Sequence, residues 1–130
     1  ESYEGACACI DIQKTAGPLP RPFYTELHVY RLLPMLEKTG QLNALVRDYL
    51  GPILSDGEGS RQLLKTLKVY LQYSGAKQET ANALYIVRQT LYNRLDKIAE
   101  LIGEDFMAPE KRLMIELALF AYEYRYGPIN

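Results

Sequence analysis

Seven polar side chains between positions 77 and 94 bring amide, hydroxyl and cationic groups into one short stretch of sequence. They are Lys77, Arg88, Gln89, Thr90, Tyr92, Asn93 and Arg94. Amides one helical turn apart, such as Gln89 and Asn93, can each bond adenine through two hydrogen bonds, and Arg88 can bond guanine or phosphate. The hydroxyl groups and Arg94 can donate to phosphate oxygens, and Lys77 at a helix start would add backbone amides that attract an anion. This chemistry predicts contact with double-stranded DNA.

Two helices are needed to position these side chains. The spacing of apolar residues predicts a first helix over residues 77–84, a turn over residues 85–87 and a second helix over residues 88–102. Ala81 would lie where the helices cross, because only a small side chain fits there. The residues expected to hold the helices at a steep angle are Leu84, Ile86 and Leu91. The pattern predicts a helix-turn-helix at about 77–102, with its second helix in the major groove.

The local charge also favours a polyanionic partner. The chain of 130 residues carries 15 basic and 16 acidic side chains, which leaves a formal net charge of −1. Residues 60–102 nevertheless hold seven basic and three acidic side chains, a balance of +4. Because phosphate contacts depend on local positive charge, this segment predicts nucleic-acid binding although the whole chain is almost neutral.

The chain before this motif divides at a proline-rich segment. Residues 15–22 contain three of the seven prolines, which predicts an extended linker. A short helical pattern over residues 3–13 precedes the linker, and the chain does not begin with Met. We therefore expect residues 1–22 to be the tail of an upstream domain with its linker, and residues 23–130 to be one helical DNA-binding domain.

The remaining patterns predict an all-α fold, because no run alternates apolar and polar residues. Pro34 is expected to end or restart a short helix, and Gly51–Pro52 to break the helix over residues 42–50. Ser60 is the expected N-cap of the next helix, and Gly75 the left-handed residue after it. The inward-facing residues expected of a last helix beginning at Pro109 are Leu113, Leu117, Phe120, Ala121 and Tyr124.

Residue types argue against metal, redox and catalytic functions. One histidine, His28, and two cysteines, Cys7 and Cys9, cannot form a four-ligand zinc site with ordinary spacing. The cysteines would point to different faces of a helix, so we expect reduced thiols and no local disulfide. No glycine-rich phosphate loop, Gly-x-Ser-x-Gly or His-Glu-x-x-His motif occurs, so neither an enzyme nor a cofactor is expected. Without an apolar run of about 18 residues or a signal-peptide pattern, we predict a cytoplasmic protein with no membrane contact.

Several segments form a longer pattern around the helix-turn-helix. They are residues 63–71, 81–85, 88–95 and 98–103, with a lead-in at 49–54 and a closing segment at 112–119. Together they resemble the C-terminal DNA-binding domain of PucR-type transcription regulators, over about residues 24–124. The helix-turn-helix part alone is shared with many Fis-like domains, so the specificity of the resemblance depends on the combination.

The resemblance implies DNA contact at the positions of Arg88, Thr90 and Arg94. It implies binding as a homodimer to two half-sites. It also implies an effector-sensing domain on the N-terminal side, of which residues 1–14 would be the end. The family commonly has His where this chain has Val87, a departure that removes a polar group from the start of the second helix.

A helical dimerisation or interaction module without DNA contact is the alternative. The chain contains eleven tyrosines, and Tyr122, Tyr124 and Tyr126 lie close together near its end. Alternating positions of a helix cannot all face one core, so some of these rings would be exposed or would meet a partner. Sedimentation with and without DNA distinguishes this alternative from DNA binding.

Overall fold

The computed structural model describes residues 28–130, which form six α-helices and no strand. The helices are α1 (Leu33–Lys38), α2 (Gln41–Leu54), α3 (Ser60–Gln72), α4 (Lys77–Leu84), α5 (Arg88–Ile102) and α6 (Pro109–Tyr126). The all-α prediction is confirmed. The predicted N-terminal helix, the linker, Cys7 and Cys9 lie outside the described residues.

One apolar core holds the six helices together. Helix α2 packs along α6, and α5 packs against both α2 and α3. The largest fully buried apolar side chains are Leu33, Leu42, Leu50, Ile53, Leu67, Leu91, Ile98 and Ile115. An isolated helix of 15 residues, the length of α5, is only marginally stable in water. Helix α5 therefore depends on its contacts with α2 and α3 for both its stability and its position.

The break predicted at Gly51–Pro52 is wrong, because α2 continues through this pair and ends at Leu54. Pro52 lies in the last turn of the helix, where its missing N–H forfeits one hydrogen bond. Continuing the helix buries Ile53 completely, and the Ser55 amide donates to the Gly51 carbonyl at 2.9 Å. Burial of an isoleucine contributes about 1.5–3 kcal/mol, whereas one hydrogen bond contributes about 0.5–1.5 kcal/mol, so burial decides the outcome.

The ends of α3 agree only in part with the sequence-based expectation. Ser60 is the first helical residue and not the N-cap, which is Gly59. A short 3-10 turn runs directly into α3, and its last residue, Gly59, already has helical dihedral angles (φ −77°, ψ −11°). Ser60 therefore continues a helical backbone and does not adopt the extended conformation of an N-cap. At the other end Ser74 and Gly75 are both left-handed, with φ of 53° and 82°, so the prediction for Gly75 is confirmed. The Gly75 amide donates to the Tyr70 carbonyl at 2.9 Å, which closes the helix end.

Helix α6 begins at Pro109 as predicted, and Ala121 and Tyr124 are buried as expected, but the rest of its buried face differs. Leu113 and Phe120 point outward, with 64% and 37% of their surface exposed, and Leu117 is half-buried. The buried residues are Ile115, Ala118, Leu119, Ala121 and Tyr124. Apolar residues surround most of this helix, so spacing alone did not define one face. The small, fully buried Ala118 and Ala121 fit the side packed against α2.

The Glu123 carboxylate joins α6 to α3 and to the C-terminal residues. It accepts hydrogen bonds from Lys68 Nζ at 2.6 Å and from the Ile129 amide at 2.9 Å.

Tyr30 packs edge-on against Phe120, with 5.7 Å between the ring centroids. Burial of the phenol, with a smaller contribution from the negative charge of Glu123, raises the pKa of Tyr30 above its ordinary value.

Stability is expected to fall as the pH rises above 10.0, the ordinary pKa of tyrosine. The unfolded chain loses the Tyr30 proton first, so this contribution is intact below pH 10.0 and is lost as the pH rises through the folded-state pKa. Tyr30→Phe keeps the ring contact with Phe120 but cannot ionise, so urea unfolding should show a smaller alkaline loss than in the wild type. Tyr126→Phe, at an exposed ring, is the control. Equal alkaline losses in the wild type and in Tyr30→Phe would contradict this explanation.

Candidate nucleic-acid interface

A tight turn joins α4 to α5. Tyr85 adopts a left-handed conformation with φ of 57°, and the Ile86 amide donates to the Ala81 carbonyl at 3.1 Å. This bond closes the end of α4 in the same way as at the end of α3. Val87 returns to an extended conformation, and α5 starts at the next residue. Both predicted helices and the predicted turn are confirmed with their bounds.

Small and apolar side chains set how α4 meets α5. Ala81 is 2% exposed, and Leu91 is fully buried. Leu84 and Ile86 are half-buried and pack against the core. These are the residues expected to hold the two helices, and their packing leaves one side of α5 facing solvent.

Two amide side chains occupy the middle of the solvent-facing side of α5. Gln89 and Asn93 are both exposed and lie one turn apart, and Gln89 Nε2 donates to Asn93 Oδ1 at 3.0 Å. Because a helix turns about 100° per residue, they lie opposite the buried Leu91 and Ile98. The two side chains therefore form a single ridge of donors and acceptors, which we call the amide ridge.

Three predicted residues meet on one flank of the amide ridge. The Arg88 guanidinium donates to the Tyr92 hydroxyl from Nε at 3.1 Å and from Nη2 at 2.7 Å. Lys77, the first residue of α4, places Nζ 5.1 Å from the centre of the same ring. We call Lys77, Arg88 and Tyr92 the cation cluster. Two positive charges and a hydroxyl converge there, a combination suited to a phosphate group.

The remaining two predicted residues lie on the opposite flank. Thr90 is half-buried, and Arg94 Nη1 donates to Thr66 Oγ1 on α3 at 3.3 Å. Thr66 is completely buried, and its hydroxyl donates to the Gln62 carbonyl at 2.7 Å. Arg94, which is half-buried, thus links α5 to α3. The structure does not bring Thr90 and Arg94 to the cation cluster.

The candidate DNA contacts chosen from the sequence did not include a second amide pair on α4, or one arginine and one lysine on α3. On α4, Gln78 Nε2 donates to Asn82 Oδ1 at 3.0 Å, and both side chains are exposed. The repeated spacing of Gln and Asn four residues apart was the available signal. On α3, the exposed Arg61 and Lys65 lie one turn apart.

The charges on the exposed side of α5 are divided along its length. Arg88 and Arg94 lie in its N-terminal half, and Lys77 of α4 lies beside Arg88 at the ring of Tyr92. The C-terminal half presents the exposed carboxylates of Asp96 and Glu100, and its lysine, Lys97, pairs with Asp56 at 3.8 Å. Because carboxylates repel phosphates, only the N-terminal half of α5 suits a polyanion.

Residues 28–130 contain neither a candidate metal-binding group nor a membrane-spanning helix. No group of three or more His, Cys, Asp and Glu side chains there could hold a metal ion. The single histidine, His28, is exposed. None of the helices in this part of the chain is both long enough and apolar enough to span a membrane.

The chain also matches known proteins in sequence. The family model of the PucR C-terminal helix-turn-helix domain matches residues 63–121. The chain is 35% identical over 89 residues to the purine catabolism regulatory protein of Bacillus subtilis, a match that covers 68% of the chain and 16% of that protein. No solved structure matches the chain.

Two further relatives are also named as regulators. The chain is 33% identical over 125 residues to the carbohydrate diacid regulator of Escherichia coli, covering 95% of the chain and 32% of the relative. It is 30% identical over 97 residues to the proline-responsive transcriptional activator PutR of Bacillus subtilis, a match that covers 74% of the chain and 24% of that protein. The chain thus spans less than a third of each of these three regulators. It contains the C-terminal helix-turn-helix domain of the PucR-type transcription regulators.

Proposed function

We propose that this chain binds double-stranded DNA sequence-specifically, with the N-terminal half of α5 in the major groove. The observation that carries the proposal is the amide ridge with a cationic side chain on each flank. A major groove has base edges on its floor and a phosphate backbone along each wall. A ridge of hydrogen-bonding groups between two positive flanks matches that layout.

Each predicted residue then has a place in the complex. Gln89 and Asn93 meet base edges. On one wall a phosphate is held by the cation cluster, and the free backbone amides at the start of α4 add to that site. On the other wall Thr90 and Arg94 donate to phosphate oxygens, and Arg94 also keeps its bond to Thr66.

At the level of the whole protein, we propose a cytoplasmic transcription regulator. Its helical DNA-binding domain comprises residues 23–130, it acts as a homodimer on two half-sites, and an effector binds to a domain on the N-terminal side. The relatives are named as regulators of purine catabolism, of carbohydrate diacids and of a proline response. No catalytic role is proposed.

A second candidate function is self-association without DNA contact. It is favoured by apolar side chains that face solvent, namely Leu113, Phe120 and Tyr126. Sedimentation of the chain alone and with a mixed-sequence duplex separates the two functions. A dimer whose sedimentation is unchanged by duplex at low salt would favour self-association.

Selection from a library of randomised duplexes tests the proposed DNA reading. The wild type should enrich a recurring motif, and Gln89→Ala/Asn93→Ala should bind duplex while losing that motif, at a cost of about 1–3 kcal/mol on the preferred site. Gln78→Ala/Asn82→Ala is a matched control, because it removes an amide pair of the same geometry from α4. Loss of the motif in the control alone would contradict the placement of α5.

A further inference from the structure

We propose that the surface around the start of α5 selects A·T base pairs, with Gln89 bonding adenine and Val87 contacting a thymine methyl group. This inference rests on the proposed function and adds the class of base pair to it. Three features carry it: the free groups of Gln89, the exposure of Val87 and the position of Arg88.

Gln89 keeps a donor and an acceptor that adenine can use. Adenine presents an N7 acceptor and an N6 donor in the major groove, so a bidentate partner needs one donor and one acceptor. In the described residues the only hydrogen bond of the Gln89 side chain is the one that Nε2 donates to Asn93. Its oxygen and its second N–H therefore remain available. The bond to Asn93 also restrains the amide before DNA binds, which lowers the entropy cost of the contact.

Val87 supplies an exposed apolar group at the start of α5, two residues before Gln89. It directly precedes α5 and its side chain is 69% exposed. The N-terminal residues of a recognition helix are those that reach base edges. A valine there has no hydrogen bond to offer, and the apolar feature of the major groove is the thymine methyl group. Thymine pairs with the adenine that Gln89 would bond, so the two contacts specify the same kind of base pair.

Arg88, the residue of this surface best suited to guanine, is held away from the ridge. Both its Nε and its Nη2 donate to the Tyr92 hydroxyl, and its Cζ atom lies 5.5 Å from the centre of that ring. Lys77 lies by the same ring, so the two cations form one flank together. Between them and Arg94, the middle of the exposed side of α5 carries no cation. Guanine therefore lacks its usual bidentate partner on the ridge.

Modified duplexes test this inference directly. The half-sites enriched by the wild type should centre on A·T pairs. Replacing adenine with 7-deazaadenine in those duplexes removes the N7 acceptor. This change should weaken wild-type binding about tenfold and should have little effect on the affinity of the Gln89→Ala variant. Deoxyuridine removes only the thymine methyl group and should weaken wild-type binding about fourfold per contacted methyl, with no effect on Val87→Ala. 7-Deazaguanine is the control and should leave affinity unchanged.

The outcomes separate this inference from the proposed function. Enrichment of half-sites centred on G·C pairs, or a loss of affinity with 7-deazaguanine, would overturn the A·T assignment while leaving sequence-specific binding in place. Salt-dependent binding with no base preference would overturn the assignment and the sequence-specific part of the function. No binding to any duplex at low salt would overturn DNA binding itself.

Discussion

The double variant Lys77→Ala/Arg88→Ala is expected to bind every DNA duplex about a hundredfold more weakly than the wild type at moderate salt. The plot of log affinity against log salt should also become shallower by about two units, one for each lost phosphate contact. The reason is the geometry of the cation cluster, in which one tyrosine holds both charges at one flank of the amide ridge. Fluorescence anisotropy over a series of salt concentrations measures both quantities.

A charge-matched control isolates the effect of position. Lys38→Ala/Arg47→Ala removes two exposed cations from α1 and α2 and changes the net charge by the same amount. This variant should keep the slope and most of the affinity of the wild type. If both double variants lost affinity equally, net charge and not the cation cluster would control binding. If neither changed the slope, the assignment of α5 to the groove would be wrong.

The same cluster marks a limit of prediction from sequence. All seven polar side chains could be chosen from residue type and helical spacing, because residues four apart on one helix share a face. Their division into a ridge and two flanks could be derived only in part. Lys77 of α4 contacts the ring of Tyr92 on α5, and Arg94 donates a hydrogen bond to Thr66, 28 positions away in the sequence. Such contacts depend on how the helices pack, which no local pattern contains.

The fold shows a similar division between local and tertiary causes. The ends of helices were predictable where a helix-ending residue coincided with the end of an apolar pattern, as at Gly103 directly after α5. They were wrong where burial opposed the local signal, as at Pro52, beyond which α2 continues to bury Ile53. The face of α6 was ambiguous because apolar residues surround most of it, and packing against α2 selected the side with Ala118 and Ala121.

The largest loss of stability is expected from Leu91→Ala. Leu91 is fully buried where α5 meets the rest of the helix-turn-helix, and truncating such a leucine costs about 2–5 kcal/mol of the free energy of unfolding. A small domain is stable by only about 5–15 kcal/mol, so the variant should unfold at much lower urea concentration. DNA binding should weaken as well, because the amide ridge on the opposite side of α5 is positioned by this contact.

Leu113→Ala is the matched control, since it makes the same chemical change at a side chain that is 64% exposed. It should change the free energy of unfolding by no more than about 0.5 kcal/mol. A large loss for Leu113→Ala would mean that this face of α6 is covered in solution, for example by a second copy of the chain, and the loss would then depend on protein concentration. A small loss for Leu91→Ala would contradict the packing of α5. The pair of measurements therefore tests the buried side of the helix-turn-helix and the exposed side of α6 at once.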